Sequence, residues 1–185
     1  MGIISSRNKD LYQATSDAVE GFFGGKNIAM KLSQSTLTDA EHASLWRGNV
    51  SPSGVIRTPP NGGWDWATLV QSQYKNPKKF CVSVFDGNQS LCGLFQGGIS
   101  KGGEVVSLSY VESAHYKTDL SSHVRMVALT FTIQLAEFSN AKFAAVYQPN
   151  ENMTNVITNM GFFEGQNIYG TRKKTLLNPH YFELG

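Results

Sequence analysis

Apolar residues recur every three or four positions in five stretches of the chain, the spacing of one face of an α-helix. These stretches predict helices at residues 10–23, 38–46, 65–74, 121–138 and 152–160. The broadest apolar stripe, which includes Val127 and Phe131, belongs to 121–138, so that helix is expected to be central and buried. Thr38 and Glu41 have the spacing of a capping box, which would start the second helix.

Short runs of apolar and β-branched residues predict seven strands. They lie at residues 27–32, 80–85, 91–96, 104–112, 141–147, 162–169 and 175–182. Turn residues at 86–89 predict an antiparallel hairpin. Strand 104–112, helix 121–138 and strand 141–147 form a crossover unit, which makes those two strands parallel. The expected fold class is α+β: a mixed, mostly antiparallel sheet with a central parallel pair, flanked by helices.

The composition bounds the class of protein. A chain of 185 residues favours one domain, here residues 27–185, with residues 1–26 as an N-terminal helical extension. The net charge of +2 is too small to indicate nucleic-acid binding. No apolar stretch reaches about 18 residues, so no transmembrane helix is expected. The N-terminus has no apolar signal core, which favours a cytoplasmic location.

Side-chain spacing gives no metal site and no classical nucleophile. The sequence has no His-x-x-x-His or Cys-x-x-Cys spacing, so a metal site is not expected. Cys81 and Cys92 fall within predicted strands, where cysteine is usually a small core residue. No Gly-x-Ser-x-Gly elbow is present either.

A family resemblance lies in the C-terminal third. The apolar strand 141–147, Asn150 after it, an amphipathic helix and then Gly161-Phe162 resemble the last βαβ unit of the GNAT N-acetyltransferase superfamily. The order of elements over about residues 27 to 183 resembles that family as well. The chain is similar to a divergent member.

The resemblance implies an acyl-CoA-dependent N-acyltransferase that acts with acetyl-CoA or another acyl-CoA. Acyl-CoA would lie where the fourth and fifth strands splay apart, with its pyrophosphate at the N-terminus of the long helix. The implied cofactor contacts are Val111 and Ser113 on the strand, Ser121, Ser122, His123, Val124 and Arg125 at the helix start, and Asn150. The acceptor would be an amine on a small molecule or a protein, and a homodimer is implied too.

Four residues are the catalytic candidates under this resemblance. They are Glu112 as general base, His115 as a proton carrier, and the hydroxyls of Thr154 and Thr158 as proton donors. Many relatives carry a tyrosine on the short helix for that last role, and Ile157 stands in its place. Ser121 and Ser122 are expected to cap the long helix.

The start of the long helix also departs from the family pattern. His123 and Arg125 fill two positions where the family usually has small residues that let the phosphates approach. Two alternatives to an acyl-CoA-dependent enzyme therefore remain. One is a GNAT-folded binding or regulatory protein without catalysis, and the other is a transferase that uses a donor other than acyl-CoA.

Overall fold

The computed structural model describes residues 6–51, 54–59, 61–147, 149–164 and 179–184. Five helices and seven strands lie in this part of the chain. The helices are α1 (Ser6–Gly24), α2 (Leu37–Ser44), α3 (Trp66–Lys75), α4 (Val124–Phe138) and α5 (Glu151–Asn159). The strands are β1 (Met30–Gln34), β2 (Lys79–Asp86), β3 (Leu91–Ile99), β4 (Val105–Ser113), β5 (Phe143–Tyr147), β6 (Phe163–Glu164) and β7 (Pro179–Glu183).

All seven strands form one sheet in the order β1-β2-β3-β4-β5-β7-β6. Only β4 and β5 pair in parallel; the other neighbours in this part of the chain are antiparallel. The parallel pair follows from the α4 crossover, because a hairpin cannot join parallel strands. The predicted α+β class with one central parallel pair is confirmed. The predicted strands 162–169 and 175–182 fall partly outside the described residues.

Helices cover the two faces of the sheet. α1 and α4 pack on one face, where Phe131 of α4 meets Phe80 and Phe95 with ring centroids 5.4 and 5.2 Å apart. α2 and α3 cover the other face through the buried Trp46 and Trp66. The predicted central helix buries most of its apolar stripe, with Phe138 at its end exposed, and this packing fixes the position of its first turn against the sheet.

The start of α2 differs from the prediction. The capping box is formed by Thr36 and Asp39, not by Thr38 and Glu41: the Thr36 side chain accepts from the Asp39 N–H, and the Asp39 carboxylate accepts from the Thr36 N–H. The same carboxylate accepts from the Ser83 hydroxyl on β2, at 3.0 Å. This contact with the sheet favours one of two overlapping capping patterns, and local sequence does not distinguish them.

Candidate functional site

β4 and β5 separate halfway along β4. Their pairing runs from Val105 with Phe143 to Leu108 with Val146 and goes no further. The other edge of β4 stays paired with β3 as far as Ser113. Among the described residues, the second half of β4 therefore has one edge without a strand partner, and an extended molecule can pair with such an edge.

A bulge lies on β4 at this fork. Gln96 pairs with Tyr110 and Gly97 with Leu108, so Ser109 is the extra residue and is exposed. A bulge bends its strand and increases the local twist, which turns β4 away from β5. Gly97 permits the close approach of the strands here, because a Cβ at this position would overlap the Ser107 carbonyl oxygen.

Glu112 is buried at the end of β4, with 1% of its surface exposed. Its Oε1 accepts from the Gly63 N–H and its Oε2 from the Trp66 Nε1–H, both at 2.7 Å. Burial raises the pKa of this carboxyl, against the opposing effects of these two hydrogen bonds and of the Arg57 charge. Glu112 thus fastens the loop before α3 to β4.

Arg57 is the second buried charge in this region. Its Nη2 donates to the Ser113 hydroxyl at 2.9 Å and to the Ala114 carbonyl oxygen at 3.4 Å, while its Nε has no acceptor among the described residues. Burial lowers its pKa, the charge of Glu112 raises it, and the charge of Arg125 lowers it. Arg57 therefore brings the loop between α2 and α3 close to the start of α4.

Gly62 makes this arrangement possible. Its φ is +114°, and a Cβ there would lie 2.7 Å from Glu112 Oε1 and 3.1 Å from Arg57 Cδ. Arg57 is not among the site residues that the sequence predicts. The available signal was Glu112 itself, since a buried carboxylate needs donors from elsewhere in the chain.

The long helix begins later than expected. α4 starts at Val124, and His123 is its N-cap residue without a side-chain capping bond. The prediction that Ser121 and Ser122 cap the helix is wrong. Ser121 Oγ accepts from the Thr118 N–H inside the preceding loop, and the Ser122 hydroxyl contacts His123 Nδ1 at 3.2 Å.

The uncapped first turn leaves backbone donors free. The N–H groups of His123 and Val124 both bond the Leu120 carbonyl oxygen. No bond to a described residue is recorded for the N–H groups of Arg125 and Met126, the next donors of the turn. The Arg125 side chain is exposed beside them, so this turn can bind an anion.

Val111 and His115 flank the end of β4. Val111 is half-buried and packs against the core beneath α4. His115 is also half-buried, edge-on to Tyr116 with ring centroids 5.1 Å apart, and its Nδ1 has no partner among the described residues. Together with Ser113 and Val124, these residues lie at the same end of the sheet as the fork.

The candidate residues at the start of α5 and along it are either hydrogen-bonded within the helix or exposed. Asn150 caps α5 by accepting from the Met153 N–H at 3.0 Å. The Thr154 hydroxyl donates to the Asn150 carbonyl oxygen, and Thr158 is exposed. Ile157 is completely buried in the core. α5 therefore brings no free hydroxyl into the core beside Ile157.

The described ranges contain no group of three or more His, Cys, Asp or Glu side chains arranged to hold a metal ion. None of their helices is long and apolar enough to cross a membrane.

Comparison with known proteins finds similarity at the level of structure only. No family model matches the sequence, and no curated protein matches it. PaiA N-acetyltransferase from Thermoplasma acidophilum, in complex with coenzyme A, is similar at a TM-score of 0.57 and 9% identity, over 85% of this chain and 100% of that one.

Two other solved structures have similar scores. FdhC, a nucleotide-linked sugar GNAT, gives a TM-score of 0.56 and 14% identity over 84% of this chain and 86% of its own. Spermidine N-acetyltransferase from Vibrio cholerae, in complex with CoA and spermine, gives a TM-score of 0.55 and 12% identity over 83% of this chain and 95% of its own. The resemblance noted in residues 141–163 is confirmed for the fold: this chain has the GNAT fold, in a form whose sequence has diverged far from these proteins.

Proposed function

We propose that the chain is an acyl-CoA-dependent N-acyltransferase, acetyl being the simplest acyl group. The observation that carries this proposal is the fork between β4 and β5, with the uncapped N-terminus of α4 at the same end of the sheet. A strand edge suits an extended chain with amide groups, and a helix N-terminus suits a phosphate. Acyl-CoA has both parts in one molecule.

The start of α4 would hold the pyrophosphate. The backbone N–H groups of Arg125 and Met126 supply donors, and the exposed Arg125 side chain supplies charge. His123 and Ser122 lie on the same turn. The edge of β4 at Val111 and Ser113 would pair with the amide groups of the pantetheine arm. Asn150, which caps α5, stays a proposed contact on the far side of the fork.

The reaction needs little from the side chains. The amine nitrogen attacks the acyl carbonyl carbon, the carbon–sulfur bond breaks, and sulfur keeps the electron pair. A base takes the proton that the nitrogen loses. Glu112 is the proposed base, because burial raises its pKa and makes it more basic than an exposed carboxylate. Since it is almost fully buried, a bound water would carry the proton to it. His115 is the second proposed carrier.

The test is ligand-induced stabilisation. Acetyl-CoA at about 100 times its Kd should add about 2.7 kcal/mol, a rise in Tm of several degrees for a chain of this size. Arg125→Ala should lose most of this rise. Lys101→Ala is the matched control, because it removes one exposed positive charge from the turn at the opposite end of β4.

An absence of any shift in the folded wild type overturns the proposal. A shift with CoA but no release of free CoA over a broad panel of amines favours the non-catalytic alternative. Ile157 supports that second candidate, because an apolar residue stands where many GNAT relatives have a hydroxyl donor on this helix. A shift with other phosphorylated compounds but not with CoA favours a different donor.

A further inference from the structure

Two arginines lie against Gly63, the residue whose N–H binds the proposed base. That N–H donates to Glu112 Oε1 at 2.7 Å. A Cβ on Gly63 would overlap the Arg57 carbonyl oxygen and lie 3.2 Å from Arg47 Cγ. The Arg57 carbonyl oxygen also accepts from the Gly48 N–H, which holds Arg47 and Arg57 next to each other. Both arginines are therefore fixed beside the turn that binds Glu112.

Arg57 brings a buried positive charge to this place without an adjacent anion. Only 7% of its surface is exposed, and its Nε has no acceptor among the described residues. Its other donors reach neutral oxygens, those of the Ser113 hydroxyl and of the Asn61 and Ala114 carbonyls. The ion pairs found in the described part of the chain involve neither Arg57 nor Arg47. A desolvated charge of this kind attracts an anion more strongly than an exposed one.

The carboxylates near the two arginines already accept hydrogen bonds from the protein. Asp65 accepts from the Thr68 N–H at 3.1 Å and from the Thr68 hydroxyl at 2.7 Å, which caps α3. These two bonds, with a smaller effect of the Arg47 charge, lower the pKa of Asp65. Glu112 accepts from Gly63 and Trp66. The positive charge here is therefore matched to something outside the described residues.

Arg47 is the arginine that a ligand can reach. It is exposed, and its guanidinium has no hydrogen-bond acceptor among the described residues. Its aliphatic stem packs on Gly63, so the group is anchored beside the turn. A guanidinium presents a planar fork of donors that matches the two oxygens of a carboxylate. Arg47 thus has the chemistry and the position to bind a carboxylate near the proposed base.

We propose that the acceptor is an amino acid and that Arg47 binds its carboxylate. This inference rests on the proposed function and names its substrate class. The buried charge of Arg57 adds to the attraction without touching the substrate. The amine would then lie on the Glu112 side of the turn. The carboxylate takes no part in the bond changes, so Arg47 determines specificity and is not a catalytic residue. The same two charges repel a polyamine.

The test compares each standard amino acid with its own α-carboxamide, which keeps the amine and the side chain and removes the negative charge. Release of free CoA from saturating acetyl-CoA gives kcat/KM. Wild type should use the best amino acid at least about tenfold better than its carboxamide, the factor expected for one charged hydrogen bond. Spermidine should be a poor acceptor.

Variants of Arg47 assign this preference to one side chain. Arg47→Ala should bring acid and carboxamide within about twofold of each other, and Arg47→Glu should favour the carboxamide. Both should bind acetyl-CoA with a Kd within about twofold of wild type. Arg47 is exposed, so these variants should fold. Lys75→Ala is the matched control, because it removes an exposed positive charge from the far end of α3, and it should keep the preference.

The outcomes separate this inference from the proposed function. If acetyl-CoA does not bind wild type, the proposed function fails. If acetyl-CoA binds but no amino acid is acylated, or the carboxamides react as well as the acids, the proposed function stands and the amino-acid class is refuted. If Arg47→Ala keeps the preference, or weakens acetyl-CoA binding as much as it weakens the use of the amino acid, Arg47 does not bind the acceptor.

Discussion

Gly93 on β3 sets the distance between the sheet and the start of α4. A Cβ at this position would lie 2.5 Å from Val124 Cγ1 and 2.9 Å from both Val124 Cγ2 and the Glu112 carbonyl oxygen. Comfortable carbon–carbon contacts are about 3.5 to 4.0 Å. Gly93→Ala therefore forces the first turn of α4 to move by about 1 Å, because Val124 is completely buried and cannot turn away.

The expected cost follows from two opposing effects. Overpacking of a core costs about 1 to 3 kcal/mol. Alanine in a strand recovers about 0.5 to 1 kcal/mol relative to glycine. The net loss for Gly93→Ala then lies in the range of about 0 to 2.5 kcal/mol, and its midpoint of about 1.2 kcal/mol corresponds to roughly 2 to 5 °C in Tm for a domain of this length. Gly102→Ala is the control, because its nearest new contacts would be at 3.7 and 3.9 Å.

A double-mutant cycle with Val124→Ala checks the reasoning by urea unfolding. Val124→Ala removes the two methyl groups that the new Cβ would meet, so Gly93→Ala should be at least about 1 kcal/mol less costly in that background. If the two substitutions are additive within about 0.5 kcal/mol, contact with Val124 does not set the spacing. Gly93→Ala should also weaken CoA binding, since it moves the proposed phosphate donors.

Three further predictions concern the buried polar groups. Trp66→Phe keeps a ring but removes the indole donor to Glu112, so the free energy of unfolding should fall by about 1.5 to 3 kcal/mol, measured with urea; a change under 0.5 kcal/mol contradicts this. The folded pKa of Glu112 is raised above its ordinary 4.5, so its contribution to stability is fully present below about pH 4.5 and is lost as pH rises through the folded pKa. Unfolding free energies between pH 4 and 8 should show this fall in wild type and not in Glu112→Gln; parallel curves would refute it. Burial raises the pKa of Cys81 to about 12 and also raises that of Cys92, so neither thiol of the folded protein should react with a disulfide reagent until urea is added, and rapid release of one equivalent would contradict the structure.

The sequence predicted the helices and strands that short-range periodicity specifies. The stripe on α4 and the apolar run of β5 specify the crossover unit, and through it the one parallel pair. The contacts at the site are of another kind. Glu112 meets Gly63 and Trp66 from 49 and 46 positions away, and no local pattern specifies those partners. The capping of α2 was missed for the same reason, since a contact with β2 decides it.

The packing of α1 on α4 has a consequence for folding during synthesis. Val19 and Phe23 of α1 are buried in the same core as Val127 and Phe131 of α4. About 100 residues separate these partners, which at roughly 5 to 20 residues per second is a delay of about 5 to 20 seconds. Until α4 emerges, the apolar side of α1 has no helix to cover it. During this delay α1 is accessible to chaperones and to self-association on the ribosome, and its docking has to wait for the synthesis of α4.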